Sequence, residues 1–352
     1  MIFINGKFLG QRLTGVQRFA DEITAELIKI NPSIKIIVPE SYKDRIINKY
    51  ENNTIYVGKT QGIIWEQITL PYFAKKSDAL LLNFCNSAPL FLRNKLTCVH
   101  DMSYKANPEW FSKKFIAYYS VLIPRILRTS KYIITVSSFS KSEILKYLPT
   151  LDDSKISVVS NACSNIFIND IFPDEKRDDI KQFLFVGSVE PRKNLQRLIE
   201  AFTSIKDNDI RLIIVGATNN KSFKTTGTEY MDPRIIWMTN CSDKILKSLY
   251  LESIALINPS FYEGFGVPLI EAANSGTLLI VSDIPAFREI AKQDAFYINP
   301  MDLNSIKERL EMVIQMNKQE RNNISQKAYS RIKNEFSWKI SAENINRIIT
   351  KQ

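Results

Sequence analysis

Short apolar, β-branched runs recur along the chain, separated by longer stretches whose apolar residues follow helical spacing. In the first half the runs are Ile2–Asn5, Lys35–Val38, Thr54–Val57, Ala79–Phe84, Leu96–His100, Tyr132–Val136 and Ile156–Val159. In the second half they are Phe183–Val186, Arg211–Val215, Ile235–Met238, Ile254–Asn258, Leu278–Val281 and Ala295–Ile298. Continuous apolar runs between helices suit parallel strands that are covered on both faces. Thirteen such runs exceed what one twisted sheet usually holds, so the pattern predicts two doubly wound sheets in an α/β chain. The first domain is expected over 1–170 and the second over 171–335, with the polar, acidic stretch Ile168–Lys181 as their boundary. In the remaining segment, 336–352, Phe336–Ile349 is amphipathic with Trp338 on its apolar side. It is expected to cap the second domain or cross back to the first.

With 352 residues, 45% of them hydrophobic and 24% charged, the chain has material for two full cores. No run of about 18 apolar residues occurs, so no membrane-spanning helix is expected. The opening MIFINGKFLG reads as a strand, not a signal peptide. Cys85, Cys98, Cys163 and Cys241 are scattered without metal-type spacing, which suits free thiols in a reducing cytoplasm. The net charge of +10 gathers in residues 103–150, where eight lysines and arginines face only Glu109 and Glu143. No nucleic-acid motif accompanies it, so nucleic acid ranks below diphosphate ligands and an anionic membrane surface as partner. Glu109–Ile134 interleaves aromatic and aliphatic residues with five cations. Such a helix can lie on a membrane with its apolar face down, or pack normally with its lysines in water, and Pro124 is expected to kink or split it.

The densest chemistry lies in Asn258–Glu271, NPSFYEGFGVPLIE. Glu263 precedes a glycine-punctuated turn, Gly264 and Gly266 permit positive φ, Pro268 suits a first helical turn, and Glu271 follows about a turn later. Two carboxylates beside a helix N-terminus that attracts phosphate match a diphosphate set between polyhydroxylated rings, as in a nucleotide-sugar. A second cluster, Phe185–Asn194 (FVGSVEPRKN), runs from a strand through Gly187 to Arg192 and Lys193 at the start of a helix. Cations there oppose the helix dipole, and an anion between them and the helix amides would remove the conflict. His100, the sole histidine, ends an apolar strand and is followed by Asp101. It reads as a packed core residue, as a hydrogen-bond donor to a substrate hydroxyl or as a group that orients the acceptor, and Asp101 as a cleft carboxylate or a loop-fixing acceptor. Gly15, between Thr14 and Arg18, marks another strand-to-helix turn without the spaced glycines of a dinucleotide site, so a nicotinamide or flavin cofactor is disfavoured. Ligands of open parallel sheets bind beyond the strand carboxyl ends, so strand-end loops from both halves predict a cleft between domains.

These residues resemble the family 4 retaining glycosyltransferases. EGFGVPLIE (263–271) and VGSVEPRKN (186–194) carry the resemblance, supported by VHDMSYKANPEWF (99–111), TGVQRFA (14–20) and VSSFSKSEIL (136–145). It implies the GT-B fold, two Rossmann-like domains around a cleft, and a branch that builds bacterial O-antigen and exopolysaccharide, often from mannose, rhamnose or fucose-type donors. By that likeness Glu263, near the reacting centre, would hold donor-sugar hydroxyls and Glu271 the ribose. Lys193 and Arg192 would neutralise the leaving diphosphate. The amides of Gly264, Phe265, Gly266 and Val267, with Gly187 and Gly216, would line the donor. Met238 would meet the base and His100 the sugar; Gly15 is expected on the donor side, and Asp101 and Arg18 on the acceptor side. The family pattern departs at Ser188, where many relatives have arginine, and at Asn161-Ala162-Cys163, where Asn-Gly-Val is usual.

The implied reaction is metal-independent retaining transfer from a nucleotide-diphosphate sugar, GDP-linked first and UDP-linked second, to a lipid-linked or oligosaccharide acceptor. The enzyme would be cytoplasmic or peripheral on the inner face of the membrane. A nucleotide-sugar epimerase, a phosphorylase and a non-catalytic nucleotide-sugar-binding partner are the competing readings. Truncating Glu263 or Lys193 to alanine is expected to remove turnover and spare the fold.

Overall fold

The computed structural model describes residues 1–43, 48–173, 181–216 and 232–350. Residues 174–180 of the expected boundary stretch lie outside them. The chain forms two compact units, Met1–Asn161 with Ser337–Gln352, and Ala162–Phe336.

The first unit holds a seven-stranded sheet in the order β3-β2-β1-β4-β5-β6-β7. Its strands are β1 (Ile2–Asn5), β2 (Lys35–Val38), β3 (Thr54–Tyr56), β4 (Leu80–Asn83), β5 (Lys95–Cys98), β6 (Tyr132–Thr135) and β7 (Ile156–Val158). The second unit holds six strands in the order β10-β9-β8-β11-β12-β13. These are β8 (Lys181–Val186), β9 (Ile210–Val215), β10 (Ile235–Met238), β11 (Ala255–Asn258), β12 (Leu278–Ser282) and β13 (Phe296–Ile298). Every pairing is parallel, as in Ile235 against Leu212 and Ala255 against both Leu278 and Phe183. Each strand falls on a run marked by the hydrophobic pattern. The reason is visible in β5, β11 and β12, which are buried at every residue. A strand with helices on both faces has no polar side to show. Two Rossmann-like sheets result.

In the first unit, helix Gly15–Ile30 turns Phe19, Ala20, Ile23 and Leu27 inward on a helical stripe. The terminal helix Trp338–Thr350 lies along it. Trp338 meets Phe19 edge-on at 5.6 Å, and the Ser341 hydroxyl donates to the Ser160 carbonyl at 2.8 Å. The units divide at Asn161–Ala162, before the acidic stretch, because its first residues are held by the second unit. Asn169 donates to the Asn274 carbonyl at 2.9 Å and its own carbonyl accepts from Tyr329 at 2.7 Å. Phe172 sits edge-on to the Tyr329 ring.

Helix Lys113–Thr129 follows the packing alternative on one side: Leu122, Ile123, Ile126 and Leu127 are buried in the core of the first unit. Pro124 stays inside one continuous helix. Among the described residues no helix is long and apolar enough to cross a membrane.

Two glycines separate fold from function. A Cβ on Gly216, at the end of β9, would lie 2.1 Å from the Gly187 carbonyl oxygen, whereas one on Gly15 would meet nothing within 4 Å. Gly216→Ala is expected to cost about 1–3 kcal/mol through backbone overpacking. Gly15→Ala should leave stability unchanged within about 0.5 kcal/mol. Urea unfolding of the two variants beside the wild type checks both.

Candidate active site

In the second sheet the strand order reverses between β8 and β11, and the crevice beyond their carboxyl ends is where open sheets bind ligands. The loops that leave these two strands carry both motif clusters. After β8 comes Gly187, then a tight turn at Pro191–Lys193 and helix Leu195–Thr203. After β11 comes Pro259–Gly266, then helix Val267–Asn274 with Pro268 in its first turn. The loops are stitched together. Phe261 N–H donates to the Arg192 carbonyl at 2.8 Å, and the Asn194 amide donates to Pro259 and Pro300 carbonyls at 3.1 and 2.8 Å. Asn194 reaches these partners from a left-handed conformation, φ 55°, which asparagine tolerates better than most residues.

At the junction Glu263, Lys193 and Arg192 form one ionic cluster. Glu263 is 8% exposed and Lys193 7%. One Glu263 oxygen accepts from the Lys193 ammonium and from Ser260 Oγ at 2.9 Å. The other accepts from an Arg192 terminal nitrogen at 2.8 Å. Arg192 also donates through Nε to Glu190 at 2.8 Å, so its guanidinium bridges two carboxylates. Burial alone would raise the Glu263 carboxyl. The opposing pull of Lys193 and Arg192 outweighs it, and the carboxyl sits at about 2. Burial, aided by Arg192, moves the Lys193 ammonium below its ordinary value while Glu263 opposes the shift. With Glu263 ionised and in contact, the pair is ionic.

This cluster changes two expectations. The anion that relieves the cations beside the helix start is the protein's own Glu263. The sparing of the fold by alanine substitution does not follow either. Removing one member of a buried pair leaves the other charged without a partner, at about 3–5 kcal/mol.

The remaining second-unit residues surround the cluster or brace it. Gly187 lies against the Lys193 stem, at 3.4 Å from Cε for an added Cβ. Gly216 N–H donates to the Met238 carbonyl at 3.1 Å, tying the loops after β9 and β10. Gly266 has φ 147°, and a Cβ there would come within 2.9 Å of the Phe287 ring. Phe265 is buried and its ring meets Phe336 edge-on, so its side chain is a packing element; Val267 begins the helix that Gly266 precedes. Glu271, buried inside that helix, accepts from the Tyr250 hydroxyl at 2.8 Å.

His100, Asp101, Gly15 and Arg18 belong to the first unit. The His100 Nε2 donates to the Phe84 carbonyl at 2.8 Å, and the ring stands edge-on to Phe19. Burial lowers its pKa, so the imidazole is neutral and Nδ1 is left as an acceptor. The expected donation to a substrate hydroxyl is therefore not open to it. Asp101 accepts from the Ser103 N–H at 2.9 Å, which is the loop-fixing role. Arg18 donates its backbone N–H to the Thr14 carbonyl in the first turn of helix Gly15–Ile30.

The motif reading missed Ser260, Asn258, Tyr250 and Asn194. Ser260 sits 2.6 Å from Asn258 Oδ1 as well as against Glu263. The only signal for it was its place three residues before Glu263. Tyr250 lies in another helix, and no local pattern links it to Glu271.

Residues 167–331 match the family described as Glycosyl transferases group 1. The chain is 28% identical over 331 residues to the O-antigen chain mannosyltransferase RfbU of Salmonella typhimurium, covering 90% of this chain and 91% of that one. It is 26% identical over 326 residues to O-antigen chain mannosyltransferase B of Escherichia coli, covering 84% and 85%. Its fold resembles that of WaaG, a glycosyltransferase involved in lipopolysaccharide biosynthesis, with TM-score 0.77, 14% identity and all of both chains covered. The ionic cluster joining Gly187–Lys193 to Glu263 thus lies within a group 1 glycosyltransferase domain, and the chain is a glycosyltransferase with the GT-B fold.

Proposed function

We propose that the chain transfers a sugar, with retention of anomeric configuration, from a nucleotide-diphosphate donor to a hydroxyl of a lipid-linked or oligosaccharide acceptor. The setting is surface polysaccharide synthesis of the O-antigen type. The Arg192–Lys193–Glu263 cluster at the strand-order reversal, with Lys193 and Glu263 buried, carries this reading. Mannose is the first candidate for the sugar, by the printed activities of the two sequence relatives, with a GDP-linked donor first and a UDP-linked donor second.

Loss of the sugar leaves negative charge on the departing diphosphate, and fixed cations stabilise that charge most where water is excluded. Arg192 and Lys193 supply it in this scheme, so no divalent metal is required. Lys193 has three donors and Glu263 uses one of them. The Glu263 oxygen facing Arg192 can also accept from a sugar hydroxyl, which orients the sugar beside the cations. Glu271, held by Tyr250, is assigned the ribose hydroxyls, and the Gly187 and Gly264–Val267 backbone lines the phosphates. The bond from the anomeric carbon to the diphosphate oxygen breaks as the acceptor oxygen bonds on the same face. The acceptor proton passes to the departing diphosphate.

Glu263→Gln keeps a hydrogen-bond acceptor against Lys193 and avoids the cavity of the alanine variant. It is expected to cut turnover about 100-fold or more with the variant still folded, because the lost charge no longer fixes the cations and sugar. Donor-dependent product formation, read beside circular dichroism, checks this; near-normal turnover would remove Glu263 from the mechanism.

A linkage experiment tests the same charge without substrate. The Glu263 carboxyl is at about 2 in the fold against an ordinary 4.5. Its stabilising contribution is complete above the ordinary value and fades as pH falls from there toward 2. The stability advantage of wild type over Glu263→Gln should therefore shrink across that window in urea unfolding at stepped pH. A constant difference would mean that Glu263 is not held ionised.

A further inference from the structure

Helix Leu195–Thr203 gives Leu195, Leu198, Ile199 and Phe202 to the core of the second unit. Gln196, Arg197 and Glu200 share another of its faces. Loops pin the first turn of this helix. The Arg197 guanidinium donates to the Pro300 carbonyl at 2.9 Å and to Asn194 Oδ1 at 3.1 Å, while the Asn194 amide donates to the Pro259 carbonyl. The turn after β8 is thereby held against the loops after β11 and β13. Between them lies a cavity of about 370 Å³, walled by Glu190, Leu195, Gln196, Arg197, Glu200 and Phe261. That size falls among small-molecule sites, which run from about 300 to 1,000 Å³. Arg192, Lys193 and Glu263 are not part of its wall.

The wall sets the chemistry of an occupant. Glu190 is already paired with Arg192, and the formal charges of Glu200 and Arg197 cancel, so neither an anion nor a cation is selected. One Glu200 oxygen accepts from the Gln196 amide at 3.0 Å, and among the described residues the other has no partner. Apolar surface stands beside these polar atoms. It comes from the Leu195 side chain and the half-buried Phe261 ring, whose centre lies 5.5 Å from the Arg197 guanidinium. Carboxylate and amide groups around an aromatic ring match a neutral ligand with hydroxyls on its edge and C–H groups on its faces. A pyranose has that form.

We propose that this cavity is a saccharide site separate from the donor site, and that its occupant acts on the donor site through Glu190. Glu190 is the shared wall. It lines the cavity and accepts from Arg192 Nε at 2.8 Å, and a terminal nitrogen of the same guanidinium donates to Glu263 at 2.8 Å. A sugar hydroxyl that donates to Glu190 draws on the charge holding Arg192 on that side, which frees the guanidinium to meet a diphosphate. Saccharide and nucleoside diphosphate then strengthen one another's binding by the same factor. The coupling rests on the proposed donor role of Arg192; saccharide binding in the cavity does not.

Two titrations of the full chain test this. α-Mannobiose followed by ligand-detected NMR tests the site, and guanosine diphosphate followed by calorimetry, with and without excess mannobiose, tests the link. Wild type should bind mannobiose, and Gln196→Ala combined with Glu200→Ala should bind it about tenfold more weakly. Neither side chain bonds to the ionic cluster, so the variant's melting midpoint and its affinity for guanosine diphosphate alone should match wild type. Excess mannobiose should tighten guanosine diphosphate binding about fivefold in wild type and leave the variant unchanged. Absence of mannobiose binding, equal binding by the variant, or a site that takes spermidine in place of mannobiose each overturns the saccharide assignment. Diphosphate affinity that mannobiose does not alter overturns the link through Glu190. A chain that binds mannobiose as expected yet transfers no sugar contradicts the transferase reading alone, so the two failures are distinguishable.

Discussion

Two opposite charges removed from water together set the terms for the second unit. Burying Glu263 or Lys193 alone would cost several kcal/mol, and their attraction offsets this only if geometry is held and the other polar atoms find partners. Each partner present answers that demand. Ser260 serves one oxygen and Arg192 the other, while Glu190 takes the far side of the guanidinium. The Phe261 N–H and Asn194 amide bonds hold the two loops in register. That register comes from β8 and β11 being hydrogen-bonded neighbours in a parallel sheet, with Ala255 against Phe183. Fold and site are one problem here: the sheet places two loop ends, and the ion pair needs both.

The same arrangement suits the proposed chemistry. A cation that must be gathered when a leaving group departs brings its reorganisation cost into the barrier, whereas one already fixed does not. Arg192 and Lys193 are fixed in advance by an internal carboxylate that stays ionised to about pH 2. In the proposed transfer Glu263 has two linked functions, holding the cations and offering an acceptor beside them. Gly187 and Gly216 contribute by absence of side chains, since the chain after β8 passes too close to Gly216 for a Cβ.

Strand positions were legible because a strand covered on both faces must be apolar at nearly every residue. The motif residues were legible as separate clusters. Their pairing was not, since Lys193 and Glu263 lie 70 residues apart and nothing local states that they touch. The dipole conflict at Arg192 and Lys193 calls for an anion, and the internal carboxylate of Glu263 meets that demand as a ligand would. Helix Lys113–Thr129 shows a second limit: periodicity says that a helix has an apolar face and not what covers it. Ile64, Ile68 and Tyr72, all mostly exposed, show the reverse, because apolar residues at helical spacing look like core in a sequence. His100 illustrates a third limit, since only geometry reveals that its Nε2 is already spent on Phe84.

The cluster's assignment as the receiver of a diphosphate is tested most directly by calorimetric titration of nucleoside and nucleoside diphosphate into wild type and Arg192→Gln. That change leaves Lys193 and Ser260 on Glu263. Loss of a charge-assisted contact predicts nucleoside diphosphate binding weakened about ten- to a hundredfold, with nucleoside binding unchanged. Equal affinity of wild type and variant for the diphosphate would contradict it.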